Sequence, residues 1–385
     1  MNDPTAMTVA RPNLLDLDLA DCESLVVALG YKAFHGRNLF KWIHKHGVLD
    51  YEGMTDVPKR LRADLDRTAC LLLPRIIHTR PSTDGTVKWV MALDDGQRIE
   101  MVHIPEDGRS TLCVSSQVGC ALDCAFCATA RQGFNRNLRV GEIVGQVWQA
   151  TRQLGAPPTN VVMMGMGEPL ANFDVVTKAM AVMQDDLAYN LSKFRLTLST
   201  SGVVPNIYRL RKVSDCSLAV SLHAPNNPLR DQLVPINRKY PLEELLPACH
   251  AYIAGDKRRK ITWEYVMLDG INDSLQHAKQ LIRLLEGIPS KINLIPFNPF
   301  PGSGYATTPA ERLESFRQRL MGAGLLVFTR KTRGDEIAAA CGQLVGRVQD
   351  RSRRLNRPDP TRPAGVAWSG TRPEIEVGNG ATRSD

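Results

Sequence analysis

The chain has 385 residues, 43% of them hydrophobic, and its 48 lysines and arginines against 40 acidic residues leave a net charge of +8. That length and apolar content predict a globular protein of two or three domains with a sizeable core, and the basic balance favours a polyanionic partner. Nine cysteines do not make a disulfide scaffold here, because such scaffolds are short and secreted and "MNDPTAMTVARPNLLDLDLA" carries no apolar stretch between a basic region and a cleavage site. Reduced cysteines, a cytoplasmic location and no membrane span are expected.

Residues 1–13 read as a disordered terminus. From 14 to 75, "ESLVVALGYKAFHGRNLFKWIHKHG" sets Leu25, Val26, Leu29, Phe34, Leu39, Phe40, Trp42 and Ile43 at broadly helical spacing, with Lys32, His35, Arg37, Lys41 and Lys45 between them. This predicts a compact helical accessory domain with one basic face, which an ordinary solvated surface would explain equally well. Residues 76–110 read as a linker and a β-hairpin turning at Asp94-Asp95-Gly96.

Between 111 and 300 short apolar runs alternate with helical periodicity. The runs 111–115, 160–164, 195–199, 217–222, 261–266 and 292–296 read as parallel strands; Val140, Ile143, Val144, Val147 and Trp148 form one helical face between them, and Leu275, Ala278, Leu281, Ile282 and Leu285 another. Six such units predict an α/β fold, a partial (β/α)6 barrel or a doubly wound sheet, with functional residues at the C-terminal strand ends. Residues 301–350 form a C-terminal extension that carries Cys341. The proline-rich, aperiodic stretch 351–385 reads as a disordered tail.

The stretch "VGCALDCAFC" follows the first of those strands and places Cys120, Cys124 and Cys127 within ten residues. Structural zinc takes four ligands, usually as two separated pairs, and no fourth Cys or His stands nearby at a matching spacing. A redox Cys-x-x-Cys pair leaves Cys120 unused. Three thiolates on a [4Fe–4S] cube leave one iron open to a small molecule, which accounts for the odd number.

This spacing, with Phe126 before the last cysteine, resembles the radical S-adenosylmethionine superfamily, in which the open iron chelates S-adenosylmethionine and one electron cleaves it to a 5'-deoxyadenosyl radical. "MMGMGEPLAN" resembles that superfamily's cofactor segment through Gly167 and Glu168, although a glycine turn would also explain it. Ser199, Ser221, Leu222, His223 and Asn298 stand at strand ends, where polar groups would hold the ribose and carboxylate of S-adenosylmethionine. For His223 alone a structural histidine is the plainer reading.

More narrowly, "TLCVSSQVGCALDCAFCATARQGFNRNL", "MGMGEPLAN", "SLHAPN", "INLIPFNPFPGS", "CGQLVG" and the helical segment resemble the RlmN/Cfr family of RNA methyltransferases, from about residue 13 to 350. The resemblance implies methylation of carbon 2 of an adenine in 23S rRNA and of an adenine beside the anticodon in some tRNAs, using two S-adenosylmethionine molecules per turnover. It implies that Cys341 carries the methyl group as S-methylcysteine, that Glu100 accepts the carbon-2 proton, and that Cys113 resolves a protein–RNA adduct through a transient disulfide with Cys341. It also implies a one-electron donor such as a flavodoxin system, and a monomer. Taken alone, Cys113 reads as a core cysteine, Cys341 as a helix end and Glu100 as a solvated carboxylate. Arg131, Arg136, Arg139, Lys257, Arg258, Arg259 and Lys260 are candidate phosphate contacts, and Phe134 a base-stacking or packed aromatic. Cys22, Cys70, Cys216 and Cys249 have no motif and read as structural. Two alternatives stay open: the Cfr-type reaction at carbon 8 of the same rRNA adenine, and a non-catalytic RNA-binding protein with structural zinc.

Overall fold

A computed structural model describes residues 11–351 apart from 257, 332, 340, 341 and 347–350. The tail beyond 351 and the first ten residues, both expected to be disordered, lie outside the described residues. Residues 11–13, placed by the sequence reading in the disordered terminus, are packed: Arg11 Nε donates to the Ala69 carbonyl at 2.8 Å, and the Asn13 side chain accepts from Leu72 N–H at 3.0 Å and donates to its carbonyl at 2.9 Å. One short amide thereby closes the module's two ends on each other.

The module contains α1 (Leu19–Ala28), α2 (Phe34–His44) and α3 (Lys59–Thr68). Asp18 and Asp21 form a reciprocal cap at the start of α1, accepting from each other's backbone N–H at 3.2 and 2.9 Å. Leu14, Leu15, Val26, Leu39, Ile43, Leu61 and Leu65 make its buried core. Gly36 lets α2 cross α1 at close range, since a Cβ there would lie 2.6 Å from the Glu23 backbone. The module and the sheet belong to one compact unit.

Twelve strands follow: β1 (Arg75–Pro81), β2 (Val87–Ala92), β3 (Arg98–Glu106), β4 (Arg109–Cys113), β5 (Gln117–Gly119), β6 (Phe134–Asn137), β7 (Asn160–Met163), β8 (Leu196–Thr200), β9 (Ser217–Ser221), β10 (Ile261–Met267), β11 (Ser290–Pro296) and β12 (Leu326–Thr329). Helices α4 (Ala128–Arg131), α5 (Val140–Leu154), α6 (Phe173–Gln184), α7 (Val204–Val213), α8 (Asn227–Leu233), α9 (Leu242–Ile253), α10 (Leu275–Leu284) and α11 (Ala310–Met321) alternate with them. All but β5 and β6 form one sheet in the order β1-β2-β3-β4-β7-β8-β9-β10-β11-β12. From β4 to β12 neighbours run parallel, as a partial barrel requires; β1 to β4 pair antiparallel. The six expected parallel strands are all present, each within two residues of its expected start. Arg75–Pro81, expected as linker, is instead an edge strand, exposed along most of its length and therefore without an apolar alternation to announce it.

Register gives the sheet two unlike faces. Leu112, Val161, Leu196, Leu198, Leu218, Val220, Trp263, Tyr265, Ile292 and Leu294 share one face and are buried in the main core with residues of the helices. Lys88 pairs with Val102, Val102 with Cys113, Cys113 with Val162 and Val162 with Thr197, which places all five on the other, inner face. Two residues along each strand the same face carries Glu100 and Ser199, and Ser199 pairs with Ala219; two residues further, Ser221 pairs with Glu264.

Replacing Gly36 by Ala forces a methyl into the α1 backbone, and overpacking of this kind costs about 1–3 kcal/mol. G36A is expected to lower the thermal midpoint of the module's tryptophan signal from Trp42, checked by fluorescence-monitored unfolding.

Candidate active site

The cysteine loop leaves the inner sheet through the small β5-β6 hairpin. Cys120 N–H donates to the Gly133 carbonyl at 2.9 Å, Cys127 N–H to the Cys124 carbonyl at 3.1 Å, and Ala125 N–H to the Leu233 carbonyl at 3.0 Å, so the loop is tied at three points. Burial, followed by the charges of Cys124 and Cys127, pushes the Cys120 thiol well up. Burial followed by Cys127 pushes Cys124 up to about 12. The three sulfurs therefore feel one another. Among the described residues no three His, Cys, Asp or Glu side chains are gathered around one ion, an arrangement that a cube does not need because its thiolates sit on different irons. Three soft donors, of which Cys124 packs with Phe126 against apolar residues from β10 and the loop after β11, fit a [4Fe–4S] cluster.

Gly165 to Glu168 lies directly against that loop. Cβ atoms at Gly165 and Gly167 would lie 2.7 Å from the Val114 carbonyl and 2.6 Å from the Gln117 side chain, and Gly167 has φ +106°. Only glycine permits this approach. The Gln117 side-chain carbonyl accepts from both Ala121 N–H and Glu168 N–H at 3.0 Å, joining the cysteine loop to the Gly-Glu-Pro segment. Glu168 is buried, and its carboxylate accepts from Leu170 N–H at 3.0 Å and Ser201 N–H at 2.7 Å. Burial raises its pKa, and those donors oppose the rise.

Ser199, Ser221 and Leu222 stand at the ends of β8 and β9, and Arg230 of α8 ties Ser221 and Leu222 to Ser201 beyond β8. This guanidinium is fully buried and donates to the carbonyls of Leu222 (3.1 Å), Ser201 (2.6 Å) and Ser221 (3.1 Å) and to Asn237 Oδ1 (2.8 Å). Burial lowers it to about 10, with Cys124 among the groups that counteract this. His223 has φ +57°, and its Nδ1 accepts from Val266 N–H at 3.0 Å; burial and then Arg230 hold it down to about 3, so the ring is neutral with its proton on Nε2. It meets Phe126 edge-on at 4.6 Å, which fits the structural reading of this histidine. Asn298 lies beyond β11, its carbonyl 3.5 Å from Gln343 Nε2.

Sequence reasoning missed Arg230, Glu264 and Lys88. Arg230 has no motif of its own. Glu264 is buried on the inner face beside Ser221; Oε1 accepts from Asn293 at 2.9 Å, while Oε2 has no partner among the described residues. A carboxylate within an apolar strand run was the available signal.

Glu100 is buried at 3% exposure, against the expectation of a solvated carboxylate. Its Oε1 pairs with Lys88 Nζ at 3.2 Å, and Oε2 accepts from Val345 N–H at 2.9 Å. Burial raises its pKa; Lys88 is the largest opposing influence. Cys113, half-buried, shares its sheet face one strand away. Cys341 lies outside the described residues, but its neighbours are well held: Ala128 N–H donates to the Gly342 carbonyl at 2.7 Å, and Thr129 Oγ1 to the Leu344 carbonyl at 2.7 Å. The chain that follows Cys341 is thus docked on the turn after Cys127, and Ala338 before it is held by Lys88 at 3.2 Å.

The basic loops are committed internally more than expected. Arg136 pairs with Glu142 and Asp95, and Arg139 with Asp94 and Glu142. Arg131 donates to the carbonyls of Gly302 and Ser303 and lies over Phe300, and Arg259 donates to the Cys216 carbonyl and lies over Tyr252. Arg258 and Lys260 are exposed, Phe134 is half-buried, and Lys257 lies outside the described residues. Cys22, Cys216 and Cys249 are buried and Cys70 half-buried.

A family model for the radical SAM superfamily matches residues 114–284, so fold and cysteine loop together define a radical S-adenosylmethionine enzyme. The model for the ribosomal RNA large subunit methyltransferase N-terminal domain matches residues 12–71. The dual-specificity RNA methyltransferase RlmN of Alkalilimnicola ehrlichii is 58% identical over 348 residues, covering 90% of this chain and 97% of that protein. A radical SAM methyltransferase of known structure from Sphaerobacter thermophilus is 43% identical, with a TM-score of 0.81 over 86% of this chain and 99% of that one. The chain belongs to the RlmN family of radical S-adenosylmethionine RNA methyltransferases. Membership implies a [4Fe–4S] cluster and S-adenosylmethionine as cofactors, and it sets aside the non-catalytic zinc alternative. No helix among the described residues is long and apolar enough to cross a membrane.

Arg230→Met leaves one buried and two half-buried carbonyls without their donor, at about 1–3 kcal/mol for each unsatisfied group. The variant is expected to lose at least about 3 kcal/mol of stability in a denaturant titration.

Proposed function

We propose that this protein methylates carbon 2 of an adenine in 23S rRNA and of an adenine beside the anticodon in some tRNAs, through Cys341, Glu100 and Cys113. The observation that carries the reading is the docking of the Cys341 segment between the cysteine loop and Glu100, through Ala128 to Gly342 at 2.7 Å and Val345 to Glu100 at 2.9 Å. Carbon 2 of adenine is an electrophilic amidine carbon and does not displace a methyl group from a sulfonium, so a protein-borne one-carbon unit must reach it instead.

Cys120, Cys124 and Cys127 would hold the cluster, and Gly167, Glu168, Ser199, Ser221, Leu222, His223 and Asn298 the S-adenosylmethionine. The bound cluster supplies the electron that cleaves that cofactor. The Cys341 thiolate would take a methyl group by displacement from one S-adenosylmethionine and then lose a hydrogen atom from that S-methyl group to the radical derived from a second, giving two per turnover. The methylene radical left on the Cys341 sulfur would add to carbon 2, Glu100 would accept the carbon-2 proton, and one electron would pass back to the oxidised cluster. The Cys113 thiolate would attack the Cys341 sulfur, the sulfur–methylene bond would break with its electron pair on carbon, that carbon would take up a proton to become the methyl group, and the disulfide left behind would be reduced by an external reductant. The shared sheet face of Glu100 and Cys113 supports this division of labour. A flavodoxin-type donor and a monomeric, cytoplasmic enzyme accompany the reading.

Cluster-reconstituted protein, reduced anaerobically with rRNA and methyl-labelled S-adenosylmethionine, is expected to yield labelled 2-methyladenosine in digested nucleosides by mass spectrometry. Labelled 8-methyladenosine would move the reaction to the Cfr type.

Three variants test the cysteine roles. Cys124→Ala should lose iron and colour, Cys341→Ala should cleave S-adenosylmethionine without methylating RNA, and Cys113→Ala should accumulate a protein–RNA adduct on a denaturing gel. Methyl transfer by Cys341→Ala would remove it as carrier.

A further inference from the structure

Lys88 is buried at 1% exposure in the middle of β2, where an unpaired ammonium would be costly. Its Nζ lies 3.2 Å from Glu100 Oε1 and donates to the Ala338 carbonyl at 3.2 Å. The other oxygen of Glu100 holds Val345 N–H at 2.9 Å. One ion pair therefore grips the chain on both sides of Cys341.

A brace alone does not require charges here, because buried ion pairs are weak sources of stability and well-packed apolar replacements are often as good. A charged pair does something an apolar brace cannot: its strength changes when the carboxylate takes up a proton. We propose that Lys88 is a positioning residue that latches the Cys341 segment to Glu100, so that the charge on Glu100 sets how firmly the segment is held. This rests on the assignment of Glu100 as proton acceptor. While Glu100 is ionised, the pair is attractive and its free oxygen is a strong acceptor for Val345 N–H. When Glu100 receives the substrate's carbon-2 proton it becomes a neutral acid, the attraction to Lys88 is lost, and the hold on Val345 weakens. Proton uptake and loosening of the carrier segment become one event, timed to the step in which the Cys341 sulfur must be given up to another thiol.

The charged groups that act on Glu100 are Lys88 on β2 and Arg80 on β1, both favouring the carboxylate; the half-buried Cys113 lies on the adjoining β4. Removing Lys88 therefore raises the pH at which Glu100 becomes an effective base, so the acid limb of adduct resolution moves to higher pH.

The test uses full-length, cluster-reconstituted K88M and K88R under anaerobic single-turnover conditions. Adduct resolution is followed against pH, and backbone hydrogen exchange is followed across residues 334–346. K88M is expected to move the acid limb up by about one pH unit or more and to lower protection at Val345 by about tenfold. K88R is expected to recover most of both. An acid limb shared by K88M and wild type, or K88R no nearer to wild type than K88M, overturns the proposal. Should K88M fail to fold, wild-type exchange decides: protection at Val345, corrected for intrinsic rates, must fall along the same acid limb, and protection that stays flat overturns it. Glu100→Gln separates this from the parent assignment. If that variant resolves the adduct at the wild-type rate, Glu100 is not the base, whatever Lys88 does to exchange.

Discussion

Pairing register across the parallel strands is the constraint on which the site depends. Because side chains alternate, the strands that bury Leu112, Val161, Leu196, Leu198, Leu218 and Val220 against helices must turn Cys113, Val162, Thr197, Ser199, Ala219 and Ser221 inward. A one-residue slip of any strand would exchange the two sets. The apolar core thus fixes the polar face: burial of the leucines and valines, at about 25 cal/mol per Å² of apolar surface, holds the chemistry in register without a dedicated contact to each functional side chain.

Around the ends of β7 to β9, buried ionisable groups are met mostly by backbone groups. His223 is buried neutral, Glu168 is ionisable but surrounded by backbone donors, and Arg230 faces carbonyl dipoles in place of a carboxylate. A buried guanidinium with no buried anion beside it leaves local positive charge near Cys124, and Cys124 in turn acts on Arg230. Thiolates ligating a cluster bring the compensating negative charge with them, so this cation suits the loaded loop better than the empty one.

What the sequence made legible follows from where the physics is local. The parallel strands carry apolar runs, the cysteine loop has a spacing that only a few metal chemistries use, and the helical module repeats at helical period; each is a signal within a dozen residues. Strand β1 was missed because an exposed edge strand buries nothing and so shows no pattern. Lys88 and Arg230 were missed because their partners lie far along the chain, at Ala338 and at three strand-end carbonyls, and a buried cation looks like a solvated one until the fold closes over it. The basic loops erred in the opposite direction. Arg136 and Arg139 look available for phosphate, yet Asp94, Asp95 and Glu142 are brought to them by the hairpin turn and by α5.

The antiparallel extension β1-β2-β3 gives the segment around Cys341 a place to dock on a partial barrel. The turn between β1 and β2 binds the extension first: Asp84 accepts from Gly334 N–H, and Glu336 accepts from Thr83 N–H and the Ser82 hydroxyl. Lys88 then holds Ala338, Glu100 holds Val345, and Gln132 beyond the cysteine loop both donates to and accepts from Gly346 at 3.0 Å. Residues 334, 336 and 338 are therefore anchored on the added strands, 342 and 344 on the start of α4, and 346 on Gln132, while Val345 returns to Glu100. A barrel without those strands would keep only the contacts to α4, to Gln132 and to the Asn298 carbonyl. The added strands also carry Glu100, so the element that docks the Cys341 segment is the one that supplies the carboxylate beside it. A single extension of the sheet joins the placement of the segment to the placement of Glu100, and neither can shift far without the other.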